Sequence, residues 1–269
     1  MSDRAQNNTT HHTGNARQEW QALVGTISFL SRLPCPGLQH EQPQLARGLL
    51  YFPVVGTIIG ALAALCFIVA NMLWPSSIAV LLTLCTLILI SGGFHEDGLA
   101  DSADGLGGGW QREDKLRIMK DSRLGSYGAL AMIMSLLLRF ATLTSLPVSM
   151  VPLALICAHT LARWSALPLL RSTPYAGISD SKMETAAHSL SAGGRGYRFW
   201  LAGAYSLGLM LILLPVTTSL VSIAAIGLLL IFWRLHCLRQ LDGITGDTLG
   251  AANQLVEITI YLVLLAHPQ

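Results

Sequence analysis

The residue types best suited to chemistry are concentrated in segment 92–105, which reads GGFHEDGLADSADG. Four carboxylates occur there, between Glu96 and Asp104. On a helix, Asp97, Asp101 and Asp104 would be spaced i, i+4 and i+7 and would share one face, where like charges repel. A divalent cation would offset that repulsion, and oxygen ligands suit Mg²⁺ or Mn²⁺. The alternative is a solvated acidic helix end, but the glycines of the segment favour close approach of a bulky ligand.

Two further polar segments directly precede apolar runs. Segment 119–128, MKDSRLGSYG, contains Lys120 and Arg123, which are suited to phosphate oxygens or to ordinary anchoring at the membrane surface. Segment 241–251, LDGITGDTLGA, combines glycines and hydroxyls with Asp247, a composition typical of a phosphate or metal loop and also of turns. Its position at the end of a predicted membrane helix, like that of the acidic segment, favours a role in the same site.

The composition predicts a membrane protein. Of the 269 residues, 52% are hydrophobic and 12% are charged, about half the share of roughly 25% in soluble domains. Because a span needs about 20 apolar residues, we predict an all-α, polytopic helical bundle with about seven transmembrane helices, and six or eight remain open. The apolar runs that define them lie at about 50–73, 77–94, 128–146, 149–170, 199–214, 219–233 and 252–266.

The distribution of basic residues predicts the orientation. Fifteen of the 17 Lys and Arg residues fall in the N-terminal segment and in alternate loops, which places them all on one side. By the positive-inside rule the N-terminus and these loops are cytoplasmic, so the chemistry belongs at the cytoplasmic face. Residues 1–18 are polar and are predicted to form a disordered tail, and residues 19–269 are predicted to form a single membrane-embedded domain.

Ionisable residues inside predicted spans are expensive and usually face a cavity or a partner. Arg139 lies near mid-depth of its run, Arg163 lies closer to the cytoplasmic end with His159 one turn deeper, and Glu257 lies one turn into the last run. A structural ion pair such as Arg139–Glu257 and a role in binding substrate are both open. For His159 a packed, hydrogen-bonded side chain is the simpler interpretation.

Carboxylates for a cation, basic groups for phosphates and a bundle open to the cytoplasm together predict phosphoryl or phosphonucleotide transfer. An ion-coupled transporter is the alternative from a different class. Its site would be expected near the midplane in broken helices, whereas here the acids crowd one membrane edge and only Arg139 is deep.

Several of these segments resemble the cobalamin synthase family, the adenosylcobinamide-GDP ribazoletransferases. The matching segments are 92–105, 118–125 (IMKDSRLG), 245–251 (TGDTLGA) and, near the start, 29–34 (FLSRLP). The resemblance covers nearly everything after residue 18. It implies transfer of the cobinamide-phosphate moiety of adenosylcobinamide-GDP to α-ribazole or its 5′-phosphate, with release of GMP and with Mg²⁺ as cofactor.

The same resemblance implies a bacterial inner-membrane enzyme of vitamin B12 synthesis. Its expected partners are the two small-molecule substrates and the lipid bilayer, without nucleic acid; a homo-oligomer or association with other cobalamin-assembly enzymes is left open. The pattern Asp101-x-x-Asp104-Gly105 is also similar to the start of the CDP-alcohol phosphotransferase signature, but the rest of that signature is not in register. Compared with the family, Asp242 stands where a glycine is expected and Gln254 where a carboxylate is common, which puts weight on Glu257.

The roles that we assign are hypotheses. We expect Mg²⁺ to be held by Asp97, Asp101 and Asp104, with Asp247 either completing the site or acting as base. The expected catalytic residues are Asp101, Asp104 and Asp247. The expected substrate-binding residues are Lys120, Arg123, Arg163, His95 and Arg139.

Overall fold

The computed structural model describes residues 3–35, 45–177 and 196–267. Within these ranges the chain is helical and forms no extended strand, as predicted. The helices are α1 (Asp3–Leu30), α2 (Leu45–Gly48), α3 (Phe52–Leu73), α4 (Ser76–Ser91), α5 (Phe94–Gly108), α6 (Arg112–Ile118), α7 (Ser126–Ser145), α8 (Val151–Ser172), α9 (Gly196–Leu213), α10 (Val216–Leu241) and α11 (Gly246–Ala266), with a 3₁₀ turn over Leu49–Tyr51 before α3.

Six helices of the described chain are long and apolar enough to cross a membrane: α3 with its 3₁₀ turn, α7, α8, α9, α10 and α11. The pair α4 and α5 satisfies the same criterion only together, and the two helices are bent by 87°. The structure therefore confirms a polytopic helical bundle of six spans, or seven if the bent pair counts as one. The cytoplasmic N-terminus stays a prediction.

Two helices form the centre of the bundle. The most apolar windows of α8 and α11 are 78% and 72% buried, whereas that of α9 is only 17% buried. Helix α3 packs along α8, and α11 packs against both α5 and α8. Helices α9 and α10 lie at the periphery, where their exposed apolar side chains suit contact with lipid.

The corner between α4 and α5 determines where the acidic segment lies. Gly92 ends α4 in the left-handed conformation (φ 68°), and Gly93 adopts a similar φ of 72°. Residues with a Cβ rarely adopt this conformation. The two glycines thus end the apolar helix α4 and turn the chain sharply into α5. As a result, the four acidic residues of α5 do not lie along the axis of α4.

Helix α1 begins at Asp3 and ends at Leu30. It therefore runs through the segment for which the sequence predicts a disordered tail. The division of the chain at residue 18 stays a prediction, as does the single domain over 19–269.

Asp242 stands where the family resemblance leads us to expect glycine. The backbone conformation at this position explains why glycine is expected. Asp242 ends α10 with φ 57° and is the one non-glycine residue of the described chain with positive φ. Aspartate tolerates this conformation better than most residues. Its exposed carboxylate lies 3.5 Å from Arg112 Nε, so it supports the turn and lies outside the acidic cluster described below.

Candidate active site

Close packing of two helices brings the acidic segments together. Gly98 of α5 lies directly against the start of α11, where a Cβ on Gly98 would lie 2.9 Å from the Asp247 carbonyl oxygen and 3.3 Å from Gly250 Cα. Only residues without side chains allow backbones to approach this closely. The contact places Asp97 and Asp101, one residue before and three after Gly98, beside Asp247, as the sequence led us to expect.

The four aspartates Asp97, Asp101, Asp104 and Asp247 form what we call the acidic cluster. Partial burial, and then the negative charges of Asp97, Asp247 and Asp104 in that order, raise the pKa of Asp101 to about 7. Helix α5 lies outside the six candidate spans, and Asp97 at its start is exposed. The cluster is therefore a region of concentrated negative potential that a cation would relieve.

The cluster is an open arrangement. Within the described residues, no three His, Cys, Asp or Glu side chains lie close enough together to hold a metal ion. Mg²⁺ rarely needs such a cage, because it keeps several waters and is usually bound by one or two carboxylates together with substrate phosphates. The all-oxygen donor set and its excess of negative charge therefore fit Mg²⁺.

Asp104 has a structural task that the sequence did not reveal. Its Oδ2 accepts a hydrogen bond of 2.7 Å from Gly125 N, and its Oδ1 accepts one of 2.8 Å from Gly128 N. Asp104 is buried and satisfies two backbone donors at the start of α7, in the manner of a helix cap. Its roles as metal ligand and catalytic residue stay predictions, but both of its oxygens are already engaged.

Asp247 lies in the first turn of α11, next to a reciprocal cap. Thr248 N donates to Thr245 Oγ1 (3.2 Å), and Thr245 N donates to Thr248 Oγ1 (2.8 Å). This capping box satisfies two of the backbone donors at the helix start. The positive end of the helix dipole also favours a carboxylate here, so the fold holds Asp247 in place facing α5.

The predicted phosphate-binding residues Lys120 and Arg123 lie in the exposed loop between α6 and α7. Arg123 forms a two-pronged ion pair with Asp121, whose Oδ2 is 2.6 Å from Arg123 Nη2. Hydrogen bonds from Arg123 lower the pKa of Asp121 to about 2. Lys120 lies close enough to Asp247 for their charges to interact, so of the two it is the better placed at the cluster.

Arg139 and Arg163, predicted to bind substrate, belong to a buried ion network formed by Glu96, Arg139, His159, Arg163 and Glu257. Arg139 Nη1 lies 3.2 Å from Glu96 Oε1 and 3.5 Å from Glu257 Oε2. Both arginine side chains are at most 2% exposed. Their role in substrate binding stays a prediction, but the structure shows the ion pairs that the sequence left open as the alternative.

His95 lies beneath the cluster and not at its surface. It lines a small cavity of about 40 Å³ together with Arg163, Gly246 and Asn253. Within the described chain, its buried Nδ1 has no hydrogen-bond partner. A cavity of this size holds a few waters and excludes a nucleotide, so direct contact of His95 with substrate would require movement.

One cleft beside the acidic cluster was not found by sequence reasoning. It measures about 650 Å³, and its walls come from the end of α1, the α4–α5 corner and α7. Arg32 and Asp97 are among its lining residues. The sequence identified segment 29–34 only as a motif that resembles the family. It could not place Arg32 beside the acidic residues, because that position depends on the turn at Gly92 and Gly93.

Comparison with known proteins shows the family of the chain. A family model described as cobalamin-5-phosphate synthase matches residues 22–265. An adenosylcobinamide-GDP ribazoletransferase of Vibrio cholerae is 41% identical over 260 residues, which cover 94% of this chain and 96% of the relative. One of the same name from Shewanella pealeana is 44% identical over 92% of this chain and 97% of the relative. No solved structure matches the chain. The chain belongs to the cobalamin-5-phosphate synthase family.

Proposed function

We infer that this protein transfers the cobinamide-phosphate moiety of adenosylcobinamide-GDP to α-ribazole or its 5′-phosphate, in the assembly of the cobalamin nucleotide loop. The observation that carries this conclusion is the family match over residues 22–265. The names of relatives that align over more than nine-tenths of this chain agree with it. The α5–α11 contact supports it because it brings Asp97 and Asp101 beside Asp247 at one end of the bundle.

In this reaction a ribazole hydroxyl attacks the phosphorus attached to cobinamide, the bond from that phosphorus to the GMP oxygen breaks, and GMP leaves. In the proposed reaction Asp247 accepts the proton of the attacking hydroxyl, and Lys120, whose charge acts on Asp247, binds phosphate oxygens. Asp97 and Asp101, one helical turn apart on α5, are the residues that would hold Mg²⁺. When bound, Mg²⁺ would neutralise charge that develops on the transferred phosphate and the leaving group.

The decisive experiment measures GMP release by purified protein in lipid with both substrates, in Mg²⁺ and in EDTA. We expect release only with Mg²⁺. Asp101→Asn should reduce turnover at least a hundredfold, whereas Asp114→Asn, which removes a carboxylate of the separate helix α6, should leave turnover unchanged. Full activity in EDTA would contradict the metal assignment. Absence of GMP from folded wild-type protein would contradict the proposed reaction.

We also propose that the protein resides in the bacterial inner membrane with the acidic cluster facing the cytoplasm. Support comes from the segment after α5, which carries Arg112, Lys115, Arg117, Lys120 and Arg123 and is followed by Gly125 and Gly128, the hydrogen-bond partners of Asp104. An excess of basic residues is typical of cytoplasmic segments. A phosphatase domain that is active only outside the cytoplasm tests this. We expect activity when it is fused after Ala266 and none when it is fused after Ile118; the reverse pattern would contradict the orientation.

A further inference from the structure

The cleft beside the acidic cluster has a mixed lining. Its charged lining residues are Arg32, Glu96 and Asp97. Its apolar lining residues include Met132 and Leu136 of α7. Its volume of about 650 Å³ falls within the range of roughly 300–1,000 Å³ that is typical of small-molecule sites. A ligand that matches this lining carries an anionic group for Arg32 and an apolar group for the side chains of α7.

Arg32 is held in place by its backbone while its side chain stays available. Its backbone N–H donates a 2.7 Å hydrogen bond to the Ile90 carbonyl at the end of α4. Its side chain crosses Gly92 so closely that a Cβ there would overlap Nε. In the described part of the chain, no carboxylate pairs with the Arg32 guanidinium, which is exposed toward the cleft. An anchored guanidinium without a protein partner is well suited to bind a phosphate with two parallel hydrogen bonds.

We propose that this cleft is the acceptor site and that Arg32 binds the 5′-phosphate of the ribazole substrate. This inference rests on the proposed function. Of the two substrates in that reaction, only the ribazole phosphate combines a terminal phosphate with a flat apolar base and is small enough for the cleft. The description of the family as a synthase of a 5-phosphate product agrees with a phosphorylated acceptor. Because Asp97 borders both the cleft and the acidic cluster, an acceptor bound here lies next to the transfer site.

The test compares two acceptors, α-ribazole 5′-phosphate and unphosphorylated α-ribazole, at saturating adenosylcobinamide-GDP. Arg32→Ala should raise the KM for the phosphorylated acceptor at least tenfold, because it removes a charge-assisted contact. The KM values for α-ribazole and for adenosylcobinamide-GDP should change less than twofold. Arg239→Ala, which removes an exposed arginine from the end of α10, should change none of these values.

Two further variants separate the proposed role from loss of folding. Arg32→Lys should retain part of the preference for the phosphorylated acceptor, since lysine keeps the positive charge but lacks the two parallel donors of the guanidinium group. Leu136→Trp should weaken the binding of both acceptors alike, because the larger side chain fills the apolar part of the cleft that the base of either acceptor would contact. Thermal unfolding in detergent identifies any variant that merely fails to fold.

The outcomes are distinct. If Arg32→Ala weakens both acceptors equally, or raises only the KM for adenosylcobinamide-GDP, the acceptor-phosphate assignment is overturned while the proposed reaction stands. If the wild-type protein forms no GMP with either acceptor, the proposed function itself fails.

Discussion

Arg163 of α8 and Glu257 of α11 are joined by a 2.5 Å hydrogen bond from Arg163 Nη1 to Glu257 Oε1, where neither side chain is more than 2% exposed. His159 Nδ1 lies 2.9 Å from the same oxygen. The two most buried helices of the bundle are thus joined by a buried ion pair in the middle of α11, whose first turn carries Asp247. This arrangement gives Glu257 a structural role in holding α11, and hence Asp247, in position.

The first prediction concerns this pair. Arg163→Ala should destabilise the folded protein by about 3–5 kcal/mol, because it leaves the buried Glu257 with less compensation for its charge. Arg163→Lys should lose less, since it keeps a positive charge beside Glu257 while Glu257 still serves its other partners Arg139 and His159. Thermal or denaturant unfolding in detergent measures both. Equal stability of the wild type and Arg163→Ala, with a raised KM for the nucleotide substrate, would instead assign Arg163 to substrate binding.

The second prediction separates Asp104 from the other acids. Asp104→Ala leaves the backbone donors of Gly125 and Gly128 without their acceptor, which should cost about 1–3 kcal/mol of stability. Asp104→Asn keeps one acceptor oxygen and should cost less. The Mg²⁺ concentration for half-maximal GMP release should rise strongly in Asp101→Asn and little in Asp104→Asn. An equal rise in both variants would restore Asp104 to the metal site.

The third prediction concerns the approach of α5 to α11. In Gly98→Ala the new Cβ would lie 2.9 Å from the Asp247 carbonyl oxygen, so the two helices must separate. We expect a loss of turnover of about a hundredfold, because displacement of catalytic groups by about 1 Å has effects of this size. Gly208→Ala in α9 is the matched control, since a Cβ there meets nothing within 4 Å. Similar turnover in the two variants would show that the α5–α11 spacing does not control catalysis.

The sequence was sufficient for the acidic cluster because its two segments each adjoin an apolar run at the same membrane edge. Side-chain type and charge asymmetry are therefore enough to predict that Asp97, Asp101 and Asp247 lie near one another. Asp104 could not be interpreted in this way, because its partners Gly125 and Gly128 follow more than 20 residues later and meet it only after α7 packs on α5.

The cleft at Arg32 was beyond sequence reasoning for a related physical reason. Its shape depends on the 87° bend between α4 and α5, and no residue pattern gives the angle that two left-handed glycines produce. In the same way, burial of Arg139 follows from packing and not from its depth in an apolar run. An arginine is expected at such a position whether it forms an ion pair or contacts substrate, so the residue type of Arg139 does not distinguish the two roles.

The last prediction concerns pH and the contacts of Glu19, which connect α1 to α9 and to the 3₁₀ turn before α3. Glu19 Oε1 lies 2.5 Å from Arg198 Nη2, and Glu19 Oε2 accepts a 2.8 Å hydrogen bond from the Tyr51 hydroxyl. Burial by itself would raise the pKa of Glu19, but the hydrogen bonds from Arg198 and Tyr51, together with the charges of Arg198 and Arg47, hold it below its ordinary value of 4.5. A carboxylate with a lowered folded-state pKa contributes stability above its unfolded pKa and loses it as the pH falls through the folded value.

The wild type should therefore unfold at a higher temperature than Glu19→Gln between about pH 5.5 and 8, where the carboxylate is ionised in both states. The difference should shrink below about pH 4.5 and vanish once Glu19 is protonated in the folded protein. Comparison with the variant at each pH cancels the protonation of other carboxylates. A difference that stays constant or grows as the pH falls would contradict the ion pair and would assign the contribution of Glu19 to packing alone.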